Sequence, residues 1–77
     1  MENKLIGIIN ELFDENFQIL DRGCNLAADL SIDSLRMMDL IVEIENRFEI
    51  SIPDDVIGDL LVFGSLVDYV NQATEGR

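Results

Sequence analysis

Between residues 35 and 48 the apolar side chains recur at a spacing that a helix gathers onto faces, and this segment constrains the shape of everything around it. At about 100° per residue, Leu40, Ile41, Ile44 and Phe48 all lie within roughly 60° of Met37, enough for a core-facing stripe. Leu35, Met38 and Val42 form a second stripe about 100–160° away, and Arg36, Asp39, Glu43, Asn46 and Arg47 fill the polar arc. A helix lying on one core needs a single stripe. The second either packs against another part of a small bundle or stays exposed as a surface for a partner.

The run Asp29-Leu30-Ser31-Ile32-Asp33-Ser34-Leu35 leads into this helix. Asp33 or Ser34 can serve as its N-cap, with a side-chain oxygen accepting a backbone N–H of the first turn. A serine there is also well placed to carry a phosphodiester, because the free N–H groups and the positive end of the helix dipole favour negative charge. The residues alone leave both roles open for Ser34, a cap or an attachment point.

The chain has 77 residues, near the lower limit at which one hydrophobic core sustains a fold, so 1–77 is expected to be a single domain with no separate catalytic unit. A hydrophobic content of 48% with 6% aromatic residues and no tryptophan suits an aliphatic helical body rather than a disordered acidic tail. Sixteen acidic against five basic residues give a net charge of −11, which disfavours nucleic acid and anionic membrane surfaces and favours basic protein partners. The single cysteine, Cys24, excludes an internal disulfide framework and is expected as a small buried or loop residue. Without histidine, a Cys-His cluster or an acidic loop of EF-hand spacing, no metal site is expected. Glu2, Asn3 and Lys4 precede a mixed segment rather than the apolar block of a signal peptide, and no run is long enough to span a bilayer. The expectation is a soluble, cytoplasmic chain.

Leu5, Ile8, Ile9, Leu12 and Phe13 recur at helical spacing and predict a first helix over 2–15. Residues 16–30 mix Phe17, Ile19, Leu20 and Leu26 with Asp21, Arg22, Gly23 and Asn25 without a sustained period, which reads as a long, partly packed loop. A connection of that length needs a task, here closing over the core and delivering Asp33 and Ser34 to the helix start. Residues 49–52 alternate but have no second strand to pair with, and a loop is expected. Pro53 followed by Asp54 and Asp55 marks the start of a short third helix over 54–60. Residues 60–63 are apolar throughout and carry no period, Gly64 allows a turn, and a last helix over 65–73 would bury Leu66, Val67 and Val70 with Tyr69 at its edge. Gly76 and Arg77 are expected to fray. The resulting fold is all-α, a small four-helix bundle with a long first loop.

Taken together, the 29–35 run, the spaced Met38, Leu40, Ile44-Glu45 and Phe48, and the element Ile52-Pro53-Asp54-Asp55 resemble an acyl carrier protein, without a gap from Asp29 to Tyr69. The resemblance implies that Ser34, beside Asp33, carries a 4′-phosphopantetheine arm whose terminal thiol holds acyl intermediates as thioesters. It implies a phosphopantetheinyl transferase that installs the arm from coenzyme A, and synthases and tailoring enzymes with basic docking surfaces. Asp33, Leu35, Met38, Asp39, Val42 and Glu45 match positions of the family's recognition helix. No general base, metal or nucleophilic dyad accompanies Ser34, so the chain is expected to be a non-catalytic carrier, and a monomer.

Two departures bear on which carrier this is. Ser31 stands where the family usually has glycine, and Arg36 where fatty-acid carriers commonly have an acid. The Glu45-Asn46-Arg47-Phe48 stretch and Ser51-Ile52-Pro53-Asp54-Asp55-Val56 look more like discrete carriers of bacterial polyketide assembly, with fatty-acid and aminoacyl (nonribosomal or D-alanyl) carriers as the alternatives. Helices lined by Leu, Ile, Val and Met could open an apolar cleft for a tethered chain, each buried methylene contributing about 0.8 kcal/mol. Of a different class, an acidic helical interaction module without a prosthetic group would also explain the charge, the length and both stripes, with Ser34 as a cap. A serine hydrolase is opposed by the lack of histidine and of a Gly-x-Ser-x-Gly elbow.

Overall fold

The computed structural model of the chain describes residues 1–75, so the fraying expected of Gly76 and Arg77 lies outside the described residues. Its elements are α1 (Glu2–Phe13), α2 (Ser34–Phe48), a 3-10 segment (Asp54–Leu61) and α3 (Phe63–Glu75). The described residues contain no strand, only an isolated antiparallel bridge between Asn25 and Val62. α1 lies against α2, and the 3-10 segment against α3.

The apolar face of α1 puts Leu5, Ile6, Ile8 and Ile9 in the core, while Leu12 is 37% exposed despite its helical spacing. The helix stops short of residue 15. Asp14 turns left-handed at φ 55, and the N–H groups of Asp14 and Glu15 both return to the Asn10 carbonyl. The Asn10 side chain then fixes the reversal, donating from Nδ2 to Phe17 O at 3.0 Å and accepting the Phe17 N–H on Oδ1 at 2.9 Å.

α2 begins and ends where its periodicity predicts, with Met37, Leu40, Ile41 and Ile44 buried and Phe48 half-buried. It too ends on a left-handed residue other than glycine, Glu49 at φ 55. The third element is a 3-10 helix. The β-branched Val56 and Ile57 followed by Gly58 give that stretch little α-propensity, and Leu60 is its one buried residue.

α3 starts at Phe63, so Gly64 lies inside its first turn rather than in a turn before it. The reason is the loop behind it. Gly64 donates its N–H to Arg22 O at 2.8 Å, Phe63 N–H to Cys24 O at 2.8 Å, and Leu26 N–H to Leu61 O at 2.7 Å. A methyl group on Gly64 would stand 2.9 Å from Arg22 O, too close to be accommodated without movement. The loop is therefore a hydrogen-bonded strap across the junction between the 3-10 segment and α3. The Arg22 guanidinium completes it, bonding Glu2 of α1 at 2.9 Å and Asp68 of α3 at 2.8 Å. Those two carboxylates, Asp68 foremost, hold the guanidinium proton more firmly than usual.

Leu20, Leu26 and Ile32 come from the loop into the core beside Leu60, Phe63, Leu66, Val67 and Val70. Cys24 is a half-buried loop residue, as expected. Burial pushes its thiol pKa up, and the carboxylates of Asp29 and Asp21 add to the shift.

Candidate functional site

The loop reaches α2 through a tight turn held at both ends. Asn25 N–H donates to Asp29 Oδ2 at 2.8 Å, and Ala28 N–H donates to Asn25 Oδ1 at 2.8 Å. Asp29, the first residue of the 29–35 run, is thus a turn-former. Ser31 follows in the left-handed region at φ 57, which explains why a glycine suits this position. Ile32 is buried and anchors the chain just before the helix.

Asp33 is extended, at φ −79 and ψ 177, and its carboxylate accepts the Arg36 N–H at 2.9 Å. The cap is therefore Asp33. Ser34 is the first helical residue, exposed, and its hydroxyl has no hydrogen-bond partner among the described residues. The N–H groups of Ser34 and Leu35 likewise find no acceptor there, since the cap carboxylate serves Arg36 and the Asp33 carbonyl serves Met37. A phosphodiester on Ser34 Oγ fits this arrangement, with free donors and the positive end of α2 beside it.

Ser34 also stands on the rim of a cleft of about 240 Å³. Ile32, Met37 and Met38 line one side, and Ile57, Gly58 and Leu61 of the 3-10 segment the other, with Ala27 from the loop. None of the 3-10 residues was singled out from the sequence as part of the site. Their short apolar run carries no signal of which neighbour it would face.

The second stripe of α2 faces solvent rather than packing inside the fold. Leu35 is 76% exposed, Val42 47% and Met38 41%. Asp39 lies among them, exposed. Glu45, three residues on from Val42, is half-buried, and its Oε2 accepts the Ile52 N–H at 2.8 Å, which ties the end of α2 to the next loop. Arg36 leans back over the Phe13 ring at 5.7 Å.

Arg22 pairs with Glu2 and Asp68, and Arg47, at the other end of α2 from Ser34, pairs with Glu43 and Glu11. Asp33 at the cap of α2, Asp39 on α2, and Asp54, Asp55 and Asp59 on the 3-10 segment have no ion-pair partner among the described residues. No group of metal-ligating side chains occurs among those residues, and none of their helices is long and apolar enough to cross a membrane.

Comparison with known proteins bears on the same residues. The family model described as "Phosphopantetheine attachment site" matches residues 3–70. An acyl carrier protein of Acidothermus cellulolyticus is 36% identical over 70 residues, spanning 91% of this chain and 83% of the relative. Acyl carrier proteins of Lactobacillus johnsonii, 31% identical over 88% of this chain and 85% of the relative, and of Porphyromonas gingivalis, 28% identical over 94% and 92%, are similar as well. The match runs from α1 into α3 and takes in the cap, the cleft and the exposed stripe; the chain belongs to the acyl carrier protein family, whose members are non-catalytic carriers using 4′-phosphopantetheine as the prosthetic group.

Proposed function

We propose that Ser34 is the attachment point for 4′-phosphopantetheine and that the whole chain, a four-helix carrier domain, ferries acyl intermediates between separate enzymes. One observation carries the reading. The helix is already capped by Asp33, which leaves the Ser34 hydroxyl exposed and without a bonding partner at the positive end of α2. The reading of Ser34 as a mere cap loses its basis in the same contact.

Ser34 Oγ takes the phosphopantetheinyl group from coenzyme A on a transferase, forming a new P–O bond as the pyrophosphate P–O bond breaks and 3′,5′-adenosine bisphosphate leaves. Its proton passes to a base of the transferase. When bound, the arm supplies a thiol that holds acyl groups as thioesters. Leu35, Met38 and Val42 give partner enzymes an apolar contact beside Ser34, while Asp39 and the unpaired aspartates steer basic surfaces toward it. Glu45 contributes by tying the end of the helix to the loop that follows it.

We assign the carrier to polyketide-type assembly. Support comes from the Glu45-Asn46-Arg47-Phe48 and Ile52-Pro53-Asp54-Asp55-Val56 stretches and from Arg36 in the first turn of the docking helix. Intact mass before and after incubation with coenzyme A and a broad-specificity transferase tests the attachment. One added phosphopantetheine on the native chain and none on Ser34→Ala is the expected result. Equal addition to both would move the site elsewhere.

A further inference from the structure

Of the three arginines among the described residues, Arg22 and Arg47 are each held by two carboxylates, and Arg36 pairs with none. Arg36 is exposed in the first turn of α2, two residues from Ser34, and its own N–H donates to the Asp33 cap. The positive end of the helix dipole disfavours a cation there. The guanidinium is steadied instead by the Phe13 ring of α1, at 5.7 Å.

At about 100° per residue, Arg36 stands roughly 60° around α2 from Asp39 and about 100° from Leu35, on the opposite flank from Met38. It therefore borders the exposed stripe of Leu35, Met38 and Val42 on the side of α1, a positive charge beside the negative Asp33 and Asp39. An enzyme that covers this face with bases alone meets Arg36 as a repulsion. One with a carboxylate at that edge gains a pair with an arginine that no described residue already engages in an ion pair. We propose that Arg36 selects the partners of Ser34, turning away enzymes whose docking surface is basic throughout and admitting those that set a carboxylate opposite it. The inference rests on Ser34 carrying the arm. An exposed charge of this kind acts on encounter rather than on the chemical step, so its mark falls on KM and not on kcat.

The test measures transfer of phosphopantetheine from coenzyme A by a broad-specificity transferase chosen for a docking surface without acidic residues. Its substrates are the native chain, Arg36→Glu, Arg36→Ala, Arg36→Lys and Lys4→Glu, with folding checked by circular dichroism. Arg36→Glu should lower KM about two- to fivefold, with kcat unchanged and the difference shrinking in about 0.5 M sodium chloride. Arg36→Ala should lie between, and Arg36→Lys, which keeps the charge, should match the native chain. Lys4→Glu changes the net charge by as much, but Lys4 shares a groove with Arg47 and Phe48 at the far end of α2 from Ser34, and KM should stay at the native value. Lysines and arginines of the transferase's docking surface are then changed to glutamate one at a time. One such transferase variant should prefer the native chain to Arg36→Glu. A KM for Arg36→Glu at or above the native value, an equal drop in Lys4→Glu, or no transferase variant that reverses the preference overturns the inference and leaves the carrier reading standing. Should Arg36→Glu not fold, an unchanged KM in Arg36→Ala overturns it instead. A folded chain that takes up no arm at Ser34 overturns both.

Discussion

Asp33 Oδ1 accepts the Arg36 N–H at 2.9 Å, so the helix that presents Ser34 is capped by its neighbour and not by Ser34 itself. The two residues should therefore separate on mutation. Asp33→Ala removes the cap and should cost about 1 kcal/mol of stability. Ser34→Ala should change stability by less than about 0.5 kcal/mol while abolishing uptake of the arm. Urea midpoints and intact masses of both variants check this; a large loss of stability in Ser34→Ala would mean that the hydroxyl serves the fold.

Ser31 holds a left-handed φ of 57 immediately before the site. A non-glycine residue in that region is disfavoured by roughly 1–2 kcal/mol, whereas glycine there gives back about 0.5–1 kcal/mol through the freedom of the unfolded chain. Ser31→Gly should thus stabilise the protein by about 0.5 kcal/mol, read as a higher urea midpoint with an unchanged slope. A lower midpoint would show that the Ser31 side chain makes a contribution larger than its backbone cost.

Gly64 and Gly7 make a contrasting pair. On Gly64 a methyl group would lie 2.9 Å from Arg22 O and 3.0 Å from Arg22 Cβ, so the strap and α3 would have to part. Gly64→Ala should destabilise by about 1–3 kcal/mol. On Gly7, inside α1, a methyl group meets nothing within 4 Å, and Gly7→Ala should stabilise by about 0.5–1 kcal/mol. Thermal or urea unfolding of the two variants should move in opposite directions.

These residues also mark what the sequence made legible. The α2 stripe of Met37, Leu40, Ile41 and Ile44 was readable because helical periodicity is a local property, and Asp33-Ser34-Leu35 because cap chemistry is local too. The sequence could not decide between Asp33 and Ser34 as the cap, since both side chains can accept the same N–H. It left open whether Leu35, Met38 and Val42 were buried, because that depends on what lies opposite. Gly64 read as a turn because its role is set by Arg22, far away in the chain, and the strap of residues 22–26 carries no periodicity at all. The left-handed ends at Asp14 and Glu49 were hidden because neither is glycine, the usual signal for that conformation at a helix end.

Cys24 lies in that strap, and its carbonyl accepts the Phe63 N–H at 2.8 Å. Burial raises its thiol pKa first, and Asp29 and Asp21 raise it further by disfavouring a nearby thiolate. The folded pKa is above the unfolded one, so the unfolded chain loses the proton first as pH rises. The contribution to stability is whole below about pH 8.5, the ordinary thiol value, and is lost as pH climbs through the raised folded value. Alkylation by iodoacetamide should follow the same order, with a pH midpoint in the native chain above that of the urea-unfolded chain. Asp29→Asn, which keeps an oxygen to accept the Asn25 N–H and removes the charge, should bring the native midpoint down. A native midpoint at or below the unfolded one would mean that the strap leaves Cys24 open to solvent.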